Sequence, residues 1–209
     1  MKLFITKNWY REAQFEFFKN YQDPFFNIST TVEVTQLYNY CKNNNLPFSL
    51  ACLFVVTKGM NEITEFKLRF KNNKVVECEE LAIGTTVLNT NNSFSFCYFP
   101  FKNTIDEFCL HAKSILENHK KGVVFEPKED EISLIHSSIL PWIQFTSIKH
   151  PHKGDENFIG IPKVVFGKTF HENSVLKISF SVEIHHAFAD GFHVALLLDK
   201  MNSFIKNLT

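Results

Sequence analysis

The chain has 209 residues, a length that suits one domain over 1–209 with a substantial apolar core. Its 22 Lys plus Arg balance 22 Asp plus Glu, and a formal net charge of zero gives no support to nucleic-acid or anionic-membrane binding. Five cysteines, an odd number with no C-x-x-C pair, predict reduced thiols in a cytoplasmic protein.

No linker, repeat or low-complexity stretch divides the chain. The opening MKLFITKNWYRE turns polar too soon for a signal peptide. The longest apolar run, Leu50 to Val56, is far too short to span a bilayer. The 24 phenylalanines fit an aromatic pocket, but with the many Asn and Lys they follow more simply from AT-rich coding.

In chain order, Asn8-Trp9-Tyr10-Arg11 opens a predicted helix through Phe15 and Phe18. Ile28 to Val34 reads as a strand, rich in β-branched residues. Thr35 to Asn43 reads as a helix, and Pro47 starts a mostly apolar one to about Ile63. Lys74–Glu79 and Ser93–Phe99 read as strands. Thr104 to His119 carries one apolar stripe, with Gly122 as its stop. Ile139–Ile148, Lys163–Phe170 and Val175–His185 supply three late strands. Strands and helices without a regular β-α-β repeat predict an α+β fold, not a doubly wound sheet.

The last strand leads into the stretch that carries chemistry. Leu176, Ile178, Phe180, Val182 and Ile184 alternate with Lys177, Ser179, Ser181, Glu183 and His185. Continuing the count puts His186 on the apolar face at the strand end, where burial keeps an imidazole neutral and able to accept a proton. Asp190-Gly191 breaks the pattern. A helical stripe of Val194, Leu197, Leu198, Met201, Phe204, Ile205 and Leu208 follows. A buried histidine is more often a core residue than a base, so this one needs partners before it means catalysis. A zinc site of His185, His186, Asp190 and His193 is disfavoured, because adjacent strand residues point apart and no second ligand pair exists.

The run His185-His186-Ala187-Phe188-Ala189-Asp190-Gly191-Phe192-His193 resembles the His-His-x-x-x-Asp-Gly signature of CoA-dependent acyltransferases. That signature occurs in chloramphenicol acetyltransferases, dihydrolipoyl acyltransferases and peptide-synthetase condensation domains, and the continuation Gly-Phe-His-Val is most similar to the first. NWYREAQFEFF, KGMNEITEFKLRFKNNKVVECE, VVFEP, SSILPWIQFTS and PKVVFGKTF also resemble that family's segments, in the same order. The resemblance implies a two-layer sandwich of a mixed sheet with helices packed on it. It also implies acetyl transfer from acetyl-CoA, a co-substrate and not a bound cofactor, to a hydroxyl of chloramphenicol or a similar small acceptor, and a homotrimer with its sites between subunits.

By the same resemblance His186 is the general base and Ser138 donates to the oxyanion. Asp190 pairs with Arg11 as structural support, or caps the helix that follows, or does both. Trp142 and Lys168 correspond to CoA-binding positions, and Phe94 and Phe125 to aromatics of the acceptor pocket. Departures fall in that pocket. Val165 stands where better-known members have a threonine that reaches the oxyanion through water, His136 where they have asparagine or phenylalanine, and Phe18 where they have tyrosine. His185, on the opposite strand face, receives no chemistry. Other readings are the same chemistry on a different alcohol, or a relative that binds ligand without catalysis. A lipoyl-dependent enzyme is disfavoured by the lack of a lipoyl domain or linker.

Overall fold

A computed structural model describes residues 1–119, 125–128, 131–152 and 160–209. In chain order the elements are β1 (Lys2–Leu3), α1 (Glu12–Phe18), β2 (Phe25–Glu33), α2 (Thr35–Asn43), α3 (Phe48–Asn61), α4 (Thr64–Lys67), β3 (Leu68–Lys71), β4 (Lys74–Glu77), β5 (Ala82–Leu88), β6 (Phe94–Phe99), α5 (Ile105–His119), β7 (Leu134–Ile139), β8 (Lys163–Glu172), β9 (Val175–His185) and α6 (Gly191–Lys206).

Six strands form one mixed sheet in the order β2-β9-β8-β7-β5-β6. β7 runs parallel to both its neighbours, β5 and β8, and the remaining pairs are antiparallel. Helices cover one face, giving the expected two-layer α+β sandwich. Leu50 to Val56 is buried residue by residue, so α3 is the inner helix, apolar all round. α5 and α6 each bury one stripe over it: Ile105, Phe108, Cys109 and Ala112 on α5, Val194, Leu197, Met201 and Ile205 on α6. A smaller sheet, β1-β4-β3, stands apart. Near it Phe15, Leu68, Val75, Ala187 and Phe188 form a second core beneath α1 and the turn after β9.

Several boundaries differ from the sequence reading. The N-terminal helix starts at Glu12, not Asn8, because Asn8 is left-handed (φ 63°) and the chain turns until Arg11. The strand expected over Ile139–Ile148 is Leu134–Ile139. Leu140 N–H still donates to Phe166 O at 2.8 Å, but Pro141 has no N–H to continue the ladder and the chain turns away. β1 and β5 were not anticipated. The stop expected at Gly122 lies outside the described residues, as does Val123-Val124 of the VVFEP segment. All five cysteines are free and buried, and burial pushes Cys109 up to about 12 and Cys41 to about 11, which keeps both thiols inert. Among the described residues no helix is long and apolar enough to cross a membrane.

Candidate active site

The face of the sheet away from the helices is built in cross-strand rows. One row runs Tyr98, Gly84, His136, Lys163, Glu183 and Asn27 across all six strands. The next, two residues along, holds Phe96 with Thr86, and Ser138 with Val165, Ser181 and Ser29. Over these rows lies a cavity of about 670 Å³, whose walls include Phe25, Thr86, Phe94, Phe96, His136, Ser138 and Lys163. Gly84 is required in its floor, since a Cβ there would meet the Tyr98 ring at 2.9 Å.

The polar side of β9 therefore faces this cavity side, not bulk solvent. Ser179, Ser181, Glu183 and His185 are all buried. Glu183 Oε1 is ringed by His152 Nε2 at 3.1 Å, Lys163 Nζ at 3.5 Å and His150 Nδ1 at 3.6 Å. Burial alone would raise its carboxyl, but His150, Lys163 and His152 outweigh that and hold it below the usual range. Lys163 also donates to Pro151 O at 3.0 Å, so the cluster fastens the 148–152 segment over the sheet as a cavity wall.

β9 ends at His185, one residue earlier than the apolar count required, and His186 opens the turn that follows. Its ring is half-buried, stacked on Phe18 at 4.0 Å between centroids and tilted against Phe26 at 4.7 Å. Its N–H donates to Pro24 O at 2.8 Å, which ties the turn to the start of β2. Nδ1–H donates to Ala189 O at 3.0 Å, so in the neutral ring Nε2 carries the lone pair. The protonation pattern thus comes from a local hydrogen bond, not from the deep apolar burial the alternation implied. His185 is the fully buried one. Its Nδ1 accepts from Ala187 N–H at 3.1 Å, and its ring lies among Phe25, Phe70 and Phe188.

Arg11 and Asp190 fix this turn. Buried Arg11 ion-pairs with Asp190 through Nη1 and donates from Nη2 to the carbonyl of His186 at 3.2 Å. Asp190 also caps α6, accepting from Phe192 N–H at 3.0 Å, while its own N–H donates to His193 Nδ1 at 3.2 Å in a capping box. Asp190 thus pairs with Arg11 and caps α6 at once. Burial would raise its carboxyl, but the hydrogen bond from Arg11 leads the effects that pull it below the ordinary range. Behind it, Tyr10 O–H donates to Glu65 Oε1 at 2.7 Å and accepts from His193 Nε2 at 2.8 Å.

The other candidates separate into two places. Ser138, His136 and Phe94 line the cavity, and Phe125 packs on Phe94 and Phe96 at its rim. Val165 is fully buried beside Ser138 and is absent from the wall. Phe18 covers His186 and not the cavity. Trp142 is exposed, and its neighbour Ile143 accepts from Lys168 N–H at 2.8 Å, so these two candidates share one outer surface. His186 is not among the cavity residues of its own chain. Sequence reasoning missed Thr86, Lys163, Glu183, His150 and His152; the period of two in β9 was the available signal for Glu183. Among the described residues no three His, Cys, Asp or Glu side chains gather as a metal site.

Two of these imidazoles make stability depend on pH. Burial, aided by the Lys163 charge, pushes His136 down to about 4, and burial with neighbouring His186 pushes His185 down to about 3. An unfolded chain protonates both near pH 6.5, at which the folded chain leaves them neutral. The unfolded state thus binds more protons below about pH 6.5, and stability falls with pH until the folded rings titrate, by at most about 1.4 kcal/mol per pH unit for each ring. Thermal midpoints are expected to drop steadily from about pH 7 to 5, and His136→Gln to flatten the slope. An unaltered slope in that variant would show that the ring protonates as readily in the folded chain as in the unfolded one.

A family model described as chloramphenicol acetyltransferase matches residues 2–202. Chloramphenicol acetyltransferase 3 of Escherichia coli is 24% identical over 203 residues, 95% of this chain and 93% of that protein. A chloramphenicol acetyltransferase of Clostridium perfringens is 24% identical over 208 residues, covering 98% and 94%. Among solved structures, a chloramphenicol acetyltransferase superposes with TM-score 0.89 at 27% identity, over 98% of this chain and 99% of that one. The truncated catalytic core of the 2-oxoacid dehydrogenase multienzyme complex from Thermoplasma acidophilum shares the fold alone, with TM-score 0.66 at 11% identity over 96% of each chain. With its motif, its mixed sheet and its Arg11–Asp190 turn in place, the chain belongs to the chloramphenicol acetyltransferase family.

Proposed function

We propose that the chain transfers the acetyl group of acetyl-CoA to a hydroxyl of chloramphenicol or a similar small acceptor, inactivating the antibiotic, with His186 as general base. The observation that carries this reading is the Nδ1–H to Ala189 O hydrogen bond, which leaves Nε2 free to take a proton. In the proposed reaction Nε2 takes the proton of the acceptor hydroxyl as its oxygen attacks the thioester carbonyl. The carbonyl electrons move to oxygen, and the Ser138 hydroxyl donates to that oxyanion. Collapse breaks the C–S bond, and the proton on His186 passes to the leaving thiolate. No acyl-enzyme forms.

Ser138 lines the cavity and His186 does not, which supports a site completed by a second copy of the chain in a homotrimer. His186 of one subunit would then face the cavity of its neighbour. A monomer in sedimentation at micromolar concentration would contradict this arrangement. The His136, Lys163 and Glu183 row favours a second reading of the acceptor, a hydroxylated compound more polar than chloramphenicol. Release of free thiol from acetyl-CoA, measured with chloramphenicol and with a panel of small alcohols, separates the readings. Turnover of chloramphenicol supports the first, turnover of polar alcohols alone supports the second, and no turnover with any alcohol supports a relative that binds without catalysis.

A further inference from the structure

The structure assigns Thr86 as the positioning residue that aims the Ser138 hydroxyl. It rests on the reading of Ser138 as oxyanion donor. Thr86 stands on β5 one step past the last paired residues, Thr85 and Ser137, and its Oγ1 lies 3.3 Å from Ser138 Oγ. Both side chains line the same cavity. Among the described residues neither hydroxyl has another hydrogen-bond partner. On the other side of Ser138 stands Val165, buried and without a polar atom. Of the two neighbours in the row, Thr86 alone can set the serine's orientation.

A serine hydroxyl rotates between three wells, and only some of them point its proton at the developing oxyanion. A β-branched threonine in a strand holds its own hydroxyl in few positions. With Thr86 O–H donating to Ser138 Oγ, the serine oxygen is occupied as an acceptor and its proton is directed elsewhere, toward the substrate. Hydrogen bonds in such a chain also polarise one another, so the serine becomes a stronger donor.

The test compares Thr86→Val, Thr86→Ser, Ser138→Ala and the Thr86→Val/Ser138→Ala double variant. Each is assayed with chloramphenicol or, if that is not turned over, the fastest alcohol of the panel, with unfolding midpoints taken alongside. Thr86→Val is expected to lower kcat by about three- to tenfold, the factor one neutral hydrogen bond carries, with KM for both substrates unchanged. Thr86→Ser should return kcat to within about twofold of the parent. In the Ser138→Ala background Thr86→Val should add nothing, because the group it aims is gone. Multiplying losses in the double variant, or a rise in KM in place of a fall in kcat, would overturn the assignment. A damaging Ser138→Ala beside a silent Thr86→Val would overturn it alone, whereas a silent Ser138→Ala would remove the oxyanion reading and this assignment with it.

Discussion

His186→Ala is expected to reduce acetyl transfer by about 10²–10⁴-fold while leaving acetyl-CoA affinity nearly unchanged. In the proposed reaction the imidazole makes the nucleophile, and thioester binding does not need it. The loss should sit near the upper end, because Nε2 is the free nitrogen of a ring fixed on three sides by Phe18, Phe26 and Ala189 O. His185→Ala supplies the contrast. It empties a fully buried site among Phe25, Phe70 and Phe188, so it should lower the unfolding midpoint and leave kcat close to the parent's. Steady-state rates with acetyl-CoA binding measured separately check both. If His185→Ala were the inactive variant and His186→Ala kept its turnover, the assignment of the base would be wrong.

The second large effect concerns the Arg11–Asp190 pair. Removing one partner of a buried ion pair strands the other charge, at a cost of roughly 3–5 kcal/mol. Arg11 is 3% exposed, so Asp190→Ala would leave a guanidinium in the interior held, among the described residues, by the His186 carbonyl and the face of Trp9. A third of the Asp190 side chain meets solvent, which places the cost near the lower end, about 3 kcal/mol. For a chain of this size that corresponds to a midpoint lower by about 6–12 °C. Catalysis should fall with stability in both Arg11→Ala and Asp190→Ala, because Arg11 holds the backbone of His186 and Asp190 caps the helix that ends its turn. Calorimetry and kcat on the two variants check this. Parental midpoints in both would mean that solvent already screens the pair.

The fold class, the turn after β9 and the Arg11–Asp190 pair that holds it were legible in the sequence because their signals are local. Val175–His185 alternates without a fault, Asp190-Gly191 breaks the pattern and starts a helix, and the α6 stripe runs to its end. The cavity was not legible, for a physical reason. Its strand residues lie on six strands and meet only through register, which no local pattern encodes. The alternation of β9 does not show what covers its polar face, where Glu183 and His185 are buried beneath the 148–152 segment and the rings around His185. Gly84 interrupts the β-branched run of β5, so that strand was not anticipated, and the His-Ser-Ser of Leu134–Ile139 hides the apolar face of β7, so that strand was placed too far along the chain. Phe18 was assigned to the acceptor from its alignment position alone. In the fold its ring lies on His186, a contact between α1 and a turn more than 160 residues away in sequence.

Because the proposed site takes Ser138 and His186 from different copies of the chain, a mixed-subunit experiment is the most direct test. His186→Ala and Ser138→Ala chains, each nearly inactive alone, are unfolded together, refolded and assayed by thiol release. If each site takes its histidine from one subunit and its serine from another, random assortment rebuilds the parental pairing at about a quarter of the sites. The account predicts activity approaching that fraction of the parent enzyme. Activity no greater than the mean of the two separate variants would contradict it, and would place both residues of each site on one chain.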